Sequence, residues 1–489
     1  MNIVLLVLDT QRADHLGCYG YPKNVSPVID SIAARGVVFE KCYAPNIPTH
    51  PSFTTMLTGK EAIAHDIVNI GGGVPIRKGV RMIQEELSKN GWTTAAVDTM
   101  GRHFSRGFDI YKTPEWDRSD PLTLRRAEHV TDLTVPLIED LKKDDKPFFL
   151  FLHYWDPHTP YLPPAEFRTM FYDREKNPYN VENHSMDPAW DDETFQWYFH
   201  QWMPGVTDSD YVNALYDAEI AYMDWQLRRV FAALEDIAEE TMVIITADHG
   251  EILDEQLGFY DHHGLYEGDV HVPLILHYPG HLPEGKRVPG IVQNIDFAPT
   301  ILELAKLPDK LGCEGKSLIP CAKGKRAGNY KEVFFSEATW EVKRGYTDGK
   351  WKYINSIEQD YHGRPMRELF DLENDPDEQN NIAEANPKVV KKLQKKLDDW
   401  VAKRLKETKT KKDPLEVQRR SSFKLGTPVE GETPGAGAMP LHLRKDREAA
   451  AIPDPEATKG KSIKKGEASG NAMIDKKAKK PMHGYVKKK

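Results

Sequence analysis

Short apolar runs recur along the chain and alternate with segments of helical period. Residues 2–8, 37–43, 93–98, 147–153, 241–247 and 272–278 are rich in Val, Ile, Leu and Phe and are bounded by polar residues, which predicts buried strands. Between them, residues 26–35, a stretch opening near Pro51, and residues 208–238 carry helical spacing. Strands alternating with helices predict an α/β fold: a mostly parallel sheet with helices on both faces. The pattern changes after about residue 325. Short strands are expected at 332–336, at 344–355 around a Thr347-Asp348-Gly349 turn, and at 367–371, followed by a helix over 386–408. That is a small α+β subdomain with an antiparallel sheet. From about residue 410 Gly, Pro, Ala and Lys dominate and periodicity fades. The resulting division is 1–325, 326–409 and a tail, 410–489, expected to be extended or disordered.

Charge narrows the function classes. Lys and Arg number 66 against 75 Asp and Glu, a net charge of −9, which argues against a non-specific nucleic-acid binder. The tail runs the other way: residues 451–489 hold eleven Lys and four acidic residues, which suits a solvated tether or an arm for an acidic partner or a neighbouring subunit. The four cysteines (Cys18, Cys42, Cys313, Cys321) form no close pair, which excludes a disulfide framework and a thiolate zinc module. The apolar run Met1–Leu8 is ended by Asp9, too early for a signal peptide or a membrane span, so no membrane partner and a cytoplasmic location are expected, with a processed export precursor as the alternative.

Candidate chemistry gathers at strand ends, where open α/β sheets bind ligands. Asp9 follows the first strand, Asp248 and His249 follow the strand 241–247, and His153, Asp156 and His158 lie at or beyond the end of the strand 147–153. Carboxylates with imidazole at one sheet edge suit a divalent cation, although a single Asp in such a place is more often a cap or turn residue. In Pro48-Thr49-His50-Pro51-Ser52, Pro51 fits the first turn of a helix with Thr49 at its cap, beside exposed N–H groups that favour an anion. A hydroxyl there becomes a nucleophile if a metal lowers its pKa; otherwise it only caps the helix. Of the adjacent His262 and His263, only one is expected to face the site. The aromatic-rich segment 154–205 predicts either a pocket wall or the packing of a long insertion.

These residues resemble the sulfatase family of the alkaline-phosphatase-like superfamily. Asp9-Thr10-Gln11-Arg12-Ala13-Asp14 looks like its first metal-binding strand end, and Ala247-Asp248-His249-Gly250-Glu251 like its second. Pro51-Ser52 with Met56-Leu57-Thr58-Gly59 looks like the core of its nucleophile motif, and Pro157-His158-Thr159-Pro160 like its substrate histidine loop. Leu265-Tyr266-Glu267 and Glu368-Leu369-Phe370-Asp371-Leu372 follow in family order. The resemblance spans residues 1 to about 405 and implies an alkaline-phosphatase-like sandwich around a large mostly parallel sheet, with a smaller C-terminal α+β subdomain. It also implies a divalent metal ion (Ca²⁺, Mn²⁺ or Zn²⁺) on Asp9, Asp248, His249 and Thr49, and a small anionic ester as substrate.

One departure bears on mechanism. Family sulfatases carry Cys or Ser at the nucleophile position, converted to formylglycine, with Pro two and Arg four residues later. Here those positions are Thr49, Pro51 and Phe53. Threonine cannot yield the aldehyde, so the resemblance turns toward the superfamily's Thr-nucleophile phosphodiesterases and phosphonate hydrolases. Hydrolysis of phosphodiester or phosphonate-type esters by Thr49 is therefore expected, with His158 and His262 on the substrate or leaving oxygens and the Asn69 amide on a phosphoryl oxygen. A turn role explains Asn69 equally well. The alternative to a single metal is a second one held among Asp156, His158, His262 and His263. The competing functions are a sulfate ester hydrolase working without formylglycine, a phosphoryl headgroup transferase, and a non-catalytic binding protein; a homo-oligomer is compatible with each.

Overall fold

A computed structural model of the chain describes residues 1–69, 75–114, 126–192, 196–339, 341–360 and 362–418. The chain divides into two compact units, Met1–Lys445 and Asp446–Lys489, the second wholly outside the described residues.

The strands are β1 (Asn2–Leu8), β2 (Val37–Tyr43), β3 (Asn46–Ile47), β4 (Thr93–Val97), β5 (Ile110–Lys112), β6 (Phe148–Tyr154), β7 (Thr241–Ala247), β8 (His271–Val272), β9 (Leu274–His277), β10 (Lys286–Gln293), β11 (Val333–Ala338), β12 (Val342–Thr347), β13 (Trp351–Ser356) and β14 (Arg367–Asp371). The helices that position the site are α1 (Pro27–Ala34), α2 (Thr49–Thr58), α3 (Ala127–Leu141), α4 (Ser209–Leu234), α5 (Phe297–Leu304), α6 (Pro387–Thr408) and α7 (Pro414–Gln418).

A nine-stranded sheet runs in the order β10-β2-β9-β7-β1-β6-β4-β5, with β8 paired to β2. β1 lies between β6 and β7 and is parallel to both. Both faces of these strands are buried, as their continuous apolar runs require. Ile3, Leu5 and Val7 point into one core layer, with Phe53 and Met56 of α2 and Ile301 of α5. Val4, Leu6 and Leu8 point into the other, with Ile29 of α1, Val130 of α3 and Ile220 of α4. The expected doubly covered α/β sheet is what forms.

Two local expectations change. The single strand over 272–278 is broken at Pro273, which cannot donate to the ladder, into β8 and β9. β9 then pairs antiparallel with both β2 and β7, so the sheet is mixed. The helix over 208–238 ends at Leu234 and passes into a 3₁₀ segment, Glu235–Glu240.

The second sheet, β14-β13-β12-β11-β3, is antiparallel apart from β3, which is contributed by the chain just before α2. Tyr346, Tyr353 and Leu369 of this sheet pack on Leu393 and Leu397 of α6. Of the tail expected over 410–489, residues 419–489 lie outside the described residues, and residues 410–418 are packed. Asp413 pairs with Arg344 at 2.6 Å and Leu415 is fully buried, so the chain stays packed through Gln418.

Candidate active site

Register builds the site. Leu8 lies opposite Tyr154 on one side and Ala247 on the other, so Asp9, Trp155 and Asp248 leave the sheet at one level. Asp9 and Asp248 project to the face that α2 covers. Their side chains and that of His249 are fully buried. His249 Nε2 lies 3.2 Å from Asp248 Oδ2 and 3.9 Å from Asp9 Oδ1.

Helix α2 brings the hydroxyl. It starts at Thr49, with Pro48 rather than Thr49 in the capping position. The Ser52 hydroxyl donates to the Asp248 carbonyl at 2.6 Å and accepts from Asn294 Nδ2 at 2.9 Å. Thr49 stands three residues earlier on the same helix face. Its Oγ1 reaches His249 Nε2 at 3.1 Å. Thr49, Asp9, Asp248 and His249 therefore converge, as expected.

The loop after β7 needs Gly250, because a Cβ there would lie 1.9 Å from the Gly268 carbonyl oxygen. Thr10 has φ +55°, a strained value for a β-branched residue. It is held there by the Tyr216 hydroxyl, which donates to its carbonyl at 2.8 Å, and by its own N–H donating to Asp248 Oδ1 at 3.3 Å.

The electrostatics of the cluster suit a cation. Asp9 Oδ1 and Asp248 Oδ2 are buried and accept no hydrogen bond. Burial and the neighbouring Asp9 push the Asp248 carboxyl well above its usual range. Burial opposes ionisation of Asp9 too, but the His153 hydrogen bond and the surrounding imidazoles outweigh it and hold Asp9 below the usual range. His249 is pushed down to about 3 by burial and by His262, so its ring is neutral. Its Nδ1–H donates to the Gly250 carbonyl at 2.9 Å, leaving the Nε2 lone pair toward the carboxylates. Two buried carboxylates of like charge with a neutral, oriented imidazole are a donor set that a divalent cation completes.

His153 and Asp98 support this set. His153 Nε2 lies 3.0 Å from Asp9 Oδ2 and its Nδ1 lies 2.7 Å from Asp98 Oδ1. The two carboxylates, working against burial, raise His153 to about 10. Asp98 ends a predicted strand, but nothing in the sequence tied it to His153; β4 and β6 had first to be neighbours.

The paired histidines diverge. The His262 ring stacks on His249 with centroids 4.6 Å apart, and its Nδ1 lies 3.3 Å from both Glu251 Oε1 and Asp261 Oδ1. Burial would lower His262, but Asp261 and Glu251 carry it up to about 10. The His158 ring lies 4.9 Å from that of His262 and stacks on Trp155 at 4.3 Å. His263 turns the other way, to His362.

Two expected participants have other partners. Asp156 is hydrogen-bonded to Glu219 of α4, and burial raises it to about 6. It faces the opposite layer from Asp9, so it is no ligand for a second metal beside the cluster. The Asn69 amide donates to the Gln418 carbonyl at 3.4 Å, where α7 packs; the glycines 71–73 that follow lie outside the described residues.

The aromatic insertion is largely packing. Tyr161 makes edge contacts with Trp202, Tyr216 and Tyr260, and Phe199 is buried among them. Among the described residues of the insertion, Trp155, against His158, is the ring that reaches the site. A separate cavity of about 450 Å³ is lined by Arg12, His15, Tyr21, Lys23 and others and by none of the cluster residues.

A mixed sheet sandwiched by helices, with an Asp/Asp/His cluster at the ends of its central strands and a hydroxyl on a buried helix start, defines an alkaline-phosphatase-like hydrolase. The sulfatase family matches residues 1–307, and the N-sulphoglucosamine sulphohydrolase C-terminal family matches residues 255–407. The chain belongs to the sulfatase family and is an ester hydrolase. It is 30% identical over 424 residues to arylsulfatase K of Rattus norvegicus, covering 76% of this chain and 72% of the relative. It is 25% identical over 469 residues to the N-acetylglucosamine-6-O-sulfatase of Bacteroides thetaiotaomicron, covering 78% and 82%. Among solved structures, the phosphonate monoester hydrolase of Silicibacter pomeroyi superposes with a TM-score of 0.68 at 20% identity, covering 84% of this chain and 96% of that one. Among the described residues, no helix is long and apolar enough to cross a membrane.

Proposed function

We propose that the chain hydrolyses phosphodiester or phosphonate-type esters with Thr49 as nucleophile. The observation that carries this reading is the Thr49 hydroxyl, 3.1 Å from His249 Nε2 and inside the Asp9/Asp248 cluster, where the family has a formylglycine precursor. A divalent cation held by Asp9, Asp248, His249 and the Thr49 hydroxyl would neutralise the anionic ester and ease loss of the hydroxyl proton.

Thr49 Oγ1 releases its proton to solvent water and attacks phosphorus, and the ester P–O bond breaks, its electron pair leaving with the alcohol oxygen. His158, steadied by Trp155, gives that oxygen a proton. His262 stands where the family has a lysine and contacts the non-bridging oxygens. Water then attacks the phosphorus of the threonine ester and returns a proton to His158, the P–O bond to Thr49 breaks, and Thr49 Oγ1 takes a proton from solvent as the acid is released. Asn69 gives one amide N–H to the Gln418 carbonyl, and its second N–H is the donor expected for a phosphoryl oxygen.

A second reading has its own support. The relatives named above act, by their names, on sulfate esters. A sulfatase without formylglycine would form a threonine sulfate and need the same water attack. Matched 4-nitrophenyl sulfate, phosphate, phosphodiester and phosphonate esters separate the two, with Thr49→Ala beside the wild type. Dominant sulfate turnover sinks the phosphoryl reading. Undiminished turnover by Thr49→Ala sinks the nucleophile.

A further inference from the structure

A second group of donors lies where three parts of the chain meet. His263 comes from the loop ahead of β8, Glu341 precedes β12, and His362 lies between β13 and β14. The two imidazoles are parallel to within 10°, and their Nε2 atoms face each other at 3.1 Å. Glu341 Oε1 lies 3.9 Å from His263 Nε2. All three side chains are almost wholly buried, with His362 at 3% exposure.

Each ring has a carboxylate behind it. Asp192 Oδ2 takes the His362 Nδ1–H at 3.0 Å, and Asp261 Oδ2 stands 3.8 Å from His263 Nδ1. The His362 Nδ1 proton, given to Asp192, leaves the His362 Nε2 lone pair aimed at His263 Nε2. That lone pair is answered either by a proton on His263 Nε2 or by a cation beside both rings. Nitrogens bound to one tetrahedral ion at about 2.0–2.1 Å are separated by a similar distance. Carboxylate behind imidazole is the usual support of a metal-binding histidine. Glu341 is itself braced, by Arg364 at 2.7 Å and Lys343 at 2.5 Å, as ligating carboxylates commonly are.

We propose that His263, His362 and Glu341 form a divalent transition-metal site, separate from the Asp9 cluster, with Zn²⁺ as the fitting ion. Imidazole nitrogen with one carboxylate oxygen suits Zn²⁺ better than Ca²⁺. The ion clips the loop bearing His262 to the C-terminal subdomain, and through Asp192 to the aromatic insertion. Asp261 joins the two sites, since its other oxygen faces His262.

The test counts metal rather than turnover, so it stands whether or not the phosphoryl reading does. Full-length protein is stripped by chelator, equilibrated with Zn²⁺, freed of excess and analysed by mass spectrometry. Wild type should hold one more ion per chain than His263→Gln/His362→Gln, and Asp9→Asn/Asp248→Asn should retain that ion. Equal metal content in wild type and the histidine variant overturns the site and leaves a proton shared between the rings. Crystals of wild type grown with Zn²⁺ need no variant. An anomalous peak about 2.0–2.1 Å from both Nε2 atoms supports the proposal; no peak there at saturating Zn²⁺ refutes it.

Discussion

Asp248 and Asp156 leave neighbouring regions of one sheet edge, and they have opposite fates. Asp248 follows β7 directly and turns toward α2, where its Oδ2 lies 3.2 Å from His249 Nε2 and beside Asp9. Asp156 stands two residues beyond β6 and turns toward α4, where Glu219 shares a hydrogen bond with it. The difference is parity. Side chains alternate across a sheet, so His153, level with Val7, shares a face with Asp9, whereas Asp156 continues the Leu152 and Tyr154 side. A carboxylate at a strand end is available for chemistry only if its alternation leaves it on the face where a helix brings complementary groups.

The largest expected effect sharpens the chemical side of this contrast. Thr49→Ala should lower kcat by roughly 10⁴-fold or more, toward the residual rate that binding alone supports, with the metal still held by Asp9, Asp248 and His249. Steady-state kinetics and metal analysis on one preparation check both halves.

The next test compares the two carboxylates directly. Asp248→Asn should lose the metal of the Asp9 cluster, while Asp156→Asn should keep it. Full occupancy in Asp248→Asn, or loss in Asp156→Asn, would reverse the assignment of the two strand ends.

A smaller effect concerns stability. Burial raises both Asp156 and Glu219, so the folded pair binds a proton that the unfolded chain releases near pH 4 to 4.5. The native state therefore holds more protons, and stability falls as pH rises from about 4.5 through the folded value near 6 and beyond. Glu219→Gln keeps a donor to Asp156 without the ionisation. Its denaturation midpoint should change less between pH 5 and 8 than that of wild type. An equal slope in both proteins would place the proton elsewhere.

The smallest effect is expected at the end of the chain. Truncation after Gln418 keeps buried Leu415 and the Asp413–Arg344 pair, and should leave kcat within about twofold. Truncation after residue 410 removes both and should lower Tm measurably, reflecting a stability loss of about 2–5 kcal/mol, as is typical of losing one buried leucine. Equal melting of the two truncations would show that α7 contributes nothing.

Much of the site was legible along the chain. Asp9, Asp248 and His249 follow strands that declare themselves by unbroken apolar runs, and a strand has one end at which its successor must sit. Thr49 was legible because Pro51 marks a helix start, although the helix begins one residue earlier than the proline suggested. Asp98 and Tyr216 were not legible. Each acts across more than fifty residues of chain, and only the sheet order and the seat of α4 bring them to His153 and Thr10.

The sequence by itself determined which residue types stand at the ends of buried strands, because hydrophobic period and polar punctuation are local. It also determined that residue 49 carries a hydroxyl and no precursor of an aldehyde. Only the tertiary structure decided which of those groups share a face. It sent Asp156 to Glu219, Asn69 to Gln418 and His263 to His362, while His262 came to rest on His249. Those choices follow from strand register and from which helix covers each face, and both are fixed by contacts between segments far apart in the chain.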